Sequence, residues 1–398
     1  MMNRFVTATS CALAAISVGL LGGLAACTPP PPPARPQIPT RPLDLQMPME
    51  APDEATMSRL PEAWDKEAAA SATKLETGPL QGPGNFNELD GNLISAYARS
   101  PYVVADGSDT DRKLTTRLPA DSARPFMEAA NKSFGDGKLD EALLNYRKVI
   151  ERDPLYAKAY FYLAEIESQR RDLDAATSWN DRGLRLSARD AYGHALRAEI
   201  LASQGRAEVA RASLAYALAL DPFAPRAVKL LRRLGGRTPG IEPPIFVQLQ
   251  QAPGAAPVLV ARGGGNPAWQ RYAVCRALLA YDRRIRSEFV QSQAQARSPG
   301  ALSLEEETTC GYMATAAYRA QHGAGPPDVD LERWSRAYDQ NLLREAVIYE
   351  TIGCRRPEVL PLLTDEELGR VSQYVGLFVL SQAPGKNNLG PAGVTTLK

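Results

Sequence analysis

Histidine is almost missing from this chain: among 398 residues the two are His194 and His322. Neither stands in a His-Glu-x-x-His or Glu-x-x-His arrangement, which removes the usual helix-borne zinc sites and di-iron bundles. No Gly-x-Ser-x-Gly elbow is present for a serine hydrolase. The run Gly263 to Gly265 lacks the Lys-Ser or Lys-Thr pair and the spacing of a phosphate loop, so it reads as a hinge. Net charge is equally short. The 46 Lys and Arg balance 45 Asp and Glu, so no net field draws the chain to nucleic acid, and none is expected as a partner. No metal and no cofactor are expected either. Glu305 to Glu307 sit at a helix start, where the positive end of the dipole accounts for them. His322, beside Gly323, reads as a helix-end residue.

What the chain does have is a repeat. Ala123 to Tyr156, Ala157 to Asp190 and Ala191 to Ala224 are each 34 residues long and follow without a gap. Ala142, Ala176 and Ala210 share one phase, and Ala130, Ala164 and Ala198 another. Small side chains at fixed spacing let two helices of a hairpin cross closely. Leu139 and Leu173 agree in phase, as do Ile150, Leu184 and Leu218, and Pro154 and Pro222 close two of the units. Pro225 to Leu234 adds a capping helix, with Val228, Leu231 and Leu234 inward and Arg226, Lys229, Arg232 and Arg233 largely outward.

This pattern resembles the tetratricopeptide repeat, a helix-turn-helix unit of the same period. The resemblance implies a mainly α fold, a helical-hairpin array that takes a protein or peptide partner on the concave face of its first helices. By phase that face includes Arg124, Asn131, Lys158, Phe161, Glu165, Gln169, Tyr192 and Glu199. Phe161 and Tyr192 would be the anchors. Relatives that clamp a C-terminal carboxylate place a lysine where this chain has Met127. The second unit departs from the pattern, with Arg171 in phase with Gly137 and Gly205 and with Ala188 in phase with the closing prolines. In the third, His194 stands in phase with Phe126 and Tyr160.

The N-terminus has one cation, Arg4, then an apolar run from Val6 to Leu24 that ends in Leu24-Ala25-Ala26-Cys27. That order reads as a secretory signal. With a cysteine at its end it resembles a bacterial lipoprotein signal, which implies that residues 1–26 are removed and Cys27 carries the lipid anchor. Several acyl chains would hold the protein firmly. Thr28, rather than aspartate, points to the outer membrane by the same resemblance. Pro29 to Pro33, then Pro36, Pro39, Pro42, Pro48 and Pro52, favour polyproline II. Residues 27–84 read as a mostly disordered tether, with weak helical character between Met57 and Lys74. Residues 85–122 form a poorly defined lead-in, with a short helix from Phe86 to Ala98, and 123–236 hold the three repeats and their cap.

Residues 237–265 read as a linker, in which Ile245 to Gln250 and Val258 to Ala261 could pair as a small hairpin. From 266 to 381 four helical patterns form a small α-helical domain. Asn266-Pro267 opens the first, a Ser303/Glu306 capping box the second, Asp330 the third, which runs to Gly353, and a Thr364/Glu367 capping box the fourth. Residues 382–398 read as a disordered tail. An exported location permits a disulfide between Cys275 and Cys310, and the alternative is that these and Cys354 stay reduced in the core. Two functions fit: an envelope interaction scaffold, or a cell-wall-acting enzyme that uses the repeats as a targeting arm.

Overall fold

The computed structural model describes residues 52–71, 73–86, 103–108, 112–236, 240–282, 284–285, 302–321 and 323–380. All of them lie in one compact unit, Ile38–Lys398. Cys27, the proline run before Pro52, the helix expected after Phe86, His322 and the tail fall outside the described residues.

The described residues from 52 to 86, expected in a mostly disordered tether, hold a helix and a strand, which corrects that expectation for them. Helix α1 (Glu54–Ala70) starts at Asp53, whose carboxylate accepts from the Thr56 amide, and it buries Met57 and Trp64, seven residues apart on one face. Each such side chain contributes roughly 1.5–3 kcal/mol when removed from water. Strand β1 (Lys74–Pro79) follows, then β2 (Val103–Asp106) and β3 (Lys113–Thr116), an antiparallel pair inside the expected lead-in.

Three helical hairpins come next: α2 (Arg124–Gly135) with α3 (Leu139–Arg152), α4 (Ala157–Gln169) with α5 (Leu173–Leu186), and α6 (Ala191–Ser203) with α7 (Ala207–Leu220). Their turns are congruent. The amides of Gly137, Arg171 and Gly205 reach back to Phe134, Ser168 and Ala202, at 3.1, 3.1 and 3.0 Å. The next amides, of Lys138, Asp172 and Arg206, reach Ser133, Glu167 and Leu201. This double bond satisfies the last carbonyls of a helix and needs a left-handed residue. Gly137 and Gly205 supply it at φ 73° and 77°, and Arg171 adopts it at 68° without being glycine. His194 keeps the pattern too. Its ring nitrogen donates to the Ala188 carbonyl at 2.8 Å, as the in-phase Tyr160 hydroxyl donates to Pro154 at 2.9 Å. The crossing alanines Ala130, Ala142, Ala164, Ala176 and Ala198 are fully buried and Ala210 nearly so.

Helix α8 (Pro225–Arg233) closes the array. Strand β4 (Ile245–Gln250) pairs antiparallel with β5 (Val258–Gly263), the hairpin anticipated in the linker, but β1 joins the other side of β5 in parallel to give a sheet of order β1-β5-β4. The glycines after β5 are no hinge at their start: Gly263 lies against the Trp269 and Gln270 backbone, where a Cβ would collide, and its amide donates to Gln270 Oε1 at 2.9 Å. The C-terminal helices are α9 (Pro267–Tyr281), α10 (Leu304–Ala320), α11 (Val329–Asp339), α12 (Leu343–Val347, continued as a π-helical turn over Ile348–Gly353), a 3-10 turn over Pro357–Leu362, and α13 (Asp365–Tyr374, continued as a π-helical turn over Val375–Val379). Both capping boxes form. The third pattern is not one helix. Asn341 turns left-handed at φ 54° and breaks it into a hairpin whose turn bonds follow the repeat pattern.

The expected linker and C-terminal domain are not separate from the array. One continuous core runs from Leu214, Leu218 and Leu220 of α7 through Leu231 of α8 to Trp269, Trp334 and Tyr374, and takes in Met57 and Trp64 of α1 and Val247 of the sheet. Between the second and third units, Arg189 is buried under this part of the chain. It donates to the carbonyls of Pro361, at 2.8 Å, and Leu363, and pairs with Asp365 at the start of α13. Cys275 on α9 and Cys310 on α10 are joined as a disulfide, with Cα atoms 5.4 Å apart. Among the described residues, no helix is long and apolar enough to cross a membrane.

Candidate functional site

The first helices of successive units lie side by side, α4 against α6 and α6 against α8. Lys158, Tyr192 and Arg226 occupy the same phase on them, 34 residues apart. Arg226 was expected to face outward from the cap. It folds back instead: its guanidinium lies 4.9 Å from the centroid of the Tyr192 ring and pairs with both Glu165 and Glu199. The Tyr192 hydroxyl also donates to Glu165. Three of the expected contact residues are therefore tied together by an arginine that the sequence reading left out. Burial, the strongest influence, drives the Tyr192 phenol far above its ordinary value; Arg226 opposes that and Glu165 adds to it. Burial works against the charge on Arg226, and Tyr192, Glu199 and Glu165 more than offset it, so this is a fixed cation.

A line of rings leads away from that cation. Tyr192 meets Tyr162 edge-on at 6.1 Å, and Tyr162 stacks on Tyr146 at 5.0 Å and 21° and touches Phe134 at 5.9 Å. The Tyr146 hydroxyl donates to Asn131 at 2.9 Å. Lys158 holds its ammonium 5.9 Å from the Tyr162 ring, and burial lowers its pKa, with Asp190 acting the other way. Tyr146 is itself 0% exposed and backs Tyr162 from the core, so the partly exposed path runs Phe134–Tyr162–Tyr192–Arg226, with the desolvated ammonium of Lys158 beside it, across three units. A surface of this kind recognises an extended or helical segment through apolar contact plus a few polar contacts.

Phe161 takes no part in that surface. It is 0% exposed, because Gly183 on α5 and Gly193 on α6 lack the Cβ atoms that would collide with its ring. The expectation that it anchors a partner is corrected: its ring fills the space between helices. Arg124 is exposed and pairs with Asp121, and Gln169 is exposed at the C-terminal end of α4. Tyr162 and Arg226 were missed. Arg226 had a signal, since it continues the phase of Arg124, Lys158 and Tyr192 into α8.

The buried acids of the C-terminal region are matched by arginines. Glu307, assigned from sequence to the helix dipole, is instead buried with Arg276 at 2.5 Å, with Arg355 at 3.7 Å and with the Tyr272 hydroxyl. Glu350 takes Arg333 through both oxygens at 2.8 and 2.7 Å and Trp334 at 3.1 Å. Glu367 receives Arg344 at 3.0 Å, and Glu345 receives Arg370 at 2.8 Å. These pairs lie within the packed core and fix helix against helix.

With this geometry in hand, the comparison with family models bears on the repeats. A family model for the tetratricopeptide repeat matches residues 133–200, from the end of α2 into α6. Among solved structures, the first tetratricopeptide domain of Spaghetti (RPAP3), bound to an HSP90 peptide, is 23% identical, with a TM-score of 0.28 over 29% of this chain and 94% of its own. The Arabidopsis OM64 tetratricopeptide domain is 18% identical, with a TM-score of 0.27 over 28% of this chain and 93% of its own. No curated protein sequence matches. Residues 133–200 thus carry the tetratricopeptide repeat, a protein-interaction module.

Proposed function

We propose that this protein is a lipid-anchored scaffold of the bacterial envelope, held at the outer membrane through Cys27, and that it takes a segment of a partner protein on its first-helix face while an envelope complex assembles. The observation behind this reading is the connected, partly exposed path Phe134–Tyr162–Tyr192–Arg226, which crosses three units and offers ring edges beside fixed charge. The signal-like order from Arg4 to Cys27 supports the anchor. The alternative, a cell-wall-acting enzyme, needs two carboxylates that converge across an open cleft. The buried acids Glu307, Glu345, Glu350 and Glu367 each face an arginine in the packed interior, so these four do not supply that pair.

The test is a photo-crosslinking amino acid placed at Gln169, beside the path, or at exposed Leu144 on α3. Capture of one defined partner from Gln169 and not from Leu144 supports the reading. Equal capture from both positions, or none from Gln169, rejects it. Changing Cys27 to Ser should release the protein from the membrane fraction, and unchanged fractionation would reject the anchor.

A further inference from the structure

The other side of α8 carries a second surface. Pro225, Val228, Lys229 and Arg232 follow one helix face at the spacing of successive turns. Together with Arg233 and with Phe223 from the preceding loop they line a depression of about 650 Å³. Phe223 is 41% exposed, and Lys229, Arg232 and Arg233 are exposed around it. Among the described residues, no carboxylate pairs with any of these three cations, although most of the described arginines find one. The concentration is local: Pro222 to Ile241 holds Arg226, Lys229, Arg232, Arg233 and Arg237 with no Asp or Glu, in a chain whose charges otherwise balance at 46 to 45.

The C-terminal dipole of α8 favours Arg232 and Arg233 in its last turn. It does not account for Lys229, a turn earlier, or for an exposed phenylalanine beside proline and valine in a recess. We infer that this depression is a docking surface for an acidic amphipathic segment of a partner protein, with an apolar side chain seated on Phe223, Pro225 and Val228 and carboxylates on the cationic rim. Charge complementarity selects an acidic occupant. The recess selects a side chain that projects into it over a flat bilayer surface. The surface is distinct from the tyrosine path, because Arg226 leaves α8 toward Tyr192, Glu165 and Glu199, while Lys229, Arg232 and Arg233 have no partner there among the described residues.

The test uses the full chain and a fluorescent helical peptide of leucine and glutamate with its leucines on one face. Two control peptides replace every glutamate with glutamine or every leucine with serine. The leucine-glutamate peptide should bind with an affinity that falls with salt, and R232E/R233E should weaken it about tenfold, the loss of two exposed ion pairs. Phe223→Ser should weaken it several-fold with the salt dependence unchanged. Both variants must keep the parent's circular dichroism, and Lys229→Gln serves as a milder second probe if the double reversal does not fold. Binding of the serine control as tightly as the parent peptide, equal binding by R232E/R233E or by Lys229→Gln, or binding of phosphatidylglycerol vesicles in place of the peptide would each overturn the inference.

Discussion

Arg226 rests on the ring of Tyr192, its in-phase neighbour in the preceding unit, and reaches past it to Glu165 one unit further back. One side chain on the closing helix thereby ties the second and third units together. Replacing Arg226 with Ala should lower stability by about 1–3 kcal/mol, since Glu165 and Glu199 would lose their countercharge in a partly buried place. Lysine should restore little, because it cannot stack on the ring and fork between two carboxylates. Urea denaturation measures both, and an unchanged midpoint for the alanine variant would show that the contact has no net worth.

Phe161→Ala should cost about 3–5 kcal/mol, the range for deleting a buried phenyl ring. Its effect on partner capture would therefore follow from lost folding. If the variant keeps the parent's melting temperature, the ring is not the core element its burial indicates.

Arg171 takes a left-handed backbone at φ 68° that costs a non-glycine residue roughly 1–2 kcal/mol. Arg171→Gly should recover about 0.5–1 kcal/mol, part of the relief being offset by the greater freedom of glycine in the unfolded chain. A lower midpoint for the glycine variant would mean that the arginine side chain has a stabilising role of its own.

Burial holds the His194 imidazole below its ordinary value of 6.5, against the bond to Ala188, which raises it. A folded pKa below the unfolded one means that the neutral ring stabilises the fold above about pH 6.5, and that this stability drains away as pH falls through the folded value. The variant His194→Tyr, which copies the in-phase Tyr160, should lose less stability between pH 7 and pH 5 than the parent. Parallel stability profiles for the two proteins would remove His194 as the source.

Cys275 and Cys310 close a loop with a sequence separation of 35 residues, and reduction should cost about 3–4 kcal/mol on the loop-entropy account. Peptide mapping without reductant should find these two residues joined. Recovery of Cys310 linked to Cys354 would be the contrary result.

Much of the repeat array was legible because its determinants are local and periodic. A small residue at each crossing, a left-handed turn and a closing loop recur every 34 residues, so the pattern appears without knowledge of any distant contact. Even the departures obeyed it, with Arg171 filling a glycine's conformation and His194 a tyrosine's hydrogen bond. Phase also placed Glu165, Tyr192 and Glu199 on one face. It misplaced Phe161, since only the absence of a Cβ at Gly183 and Gly193 decides that the ring turns inward.

By itself, the sequence determined the helical hairpins, their turns, their cap and the helix starts at Ser303 and Thr364, each set by residues a few positions apart. Tertiary structure decided that Trp64 and β1 belong to the C-terminal core, that Arg189 pins the array to Asp365, and that Glu307 meets Arg276. Those partners lie far apart in the chain and repeat nowhere. A short amphipathic helix or a lone strand is marginal in water until a distant surface covers it, so nothing in residues 52–86 alone announces that the surface exists.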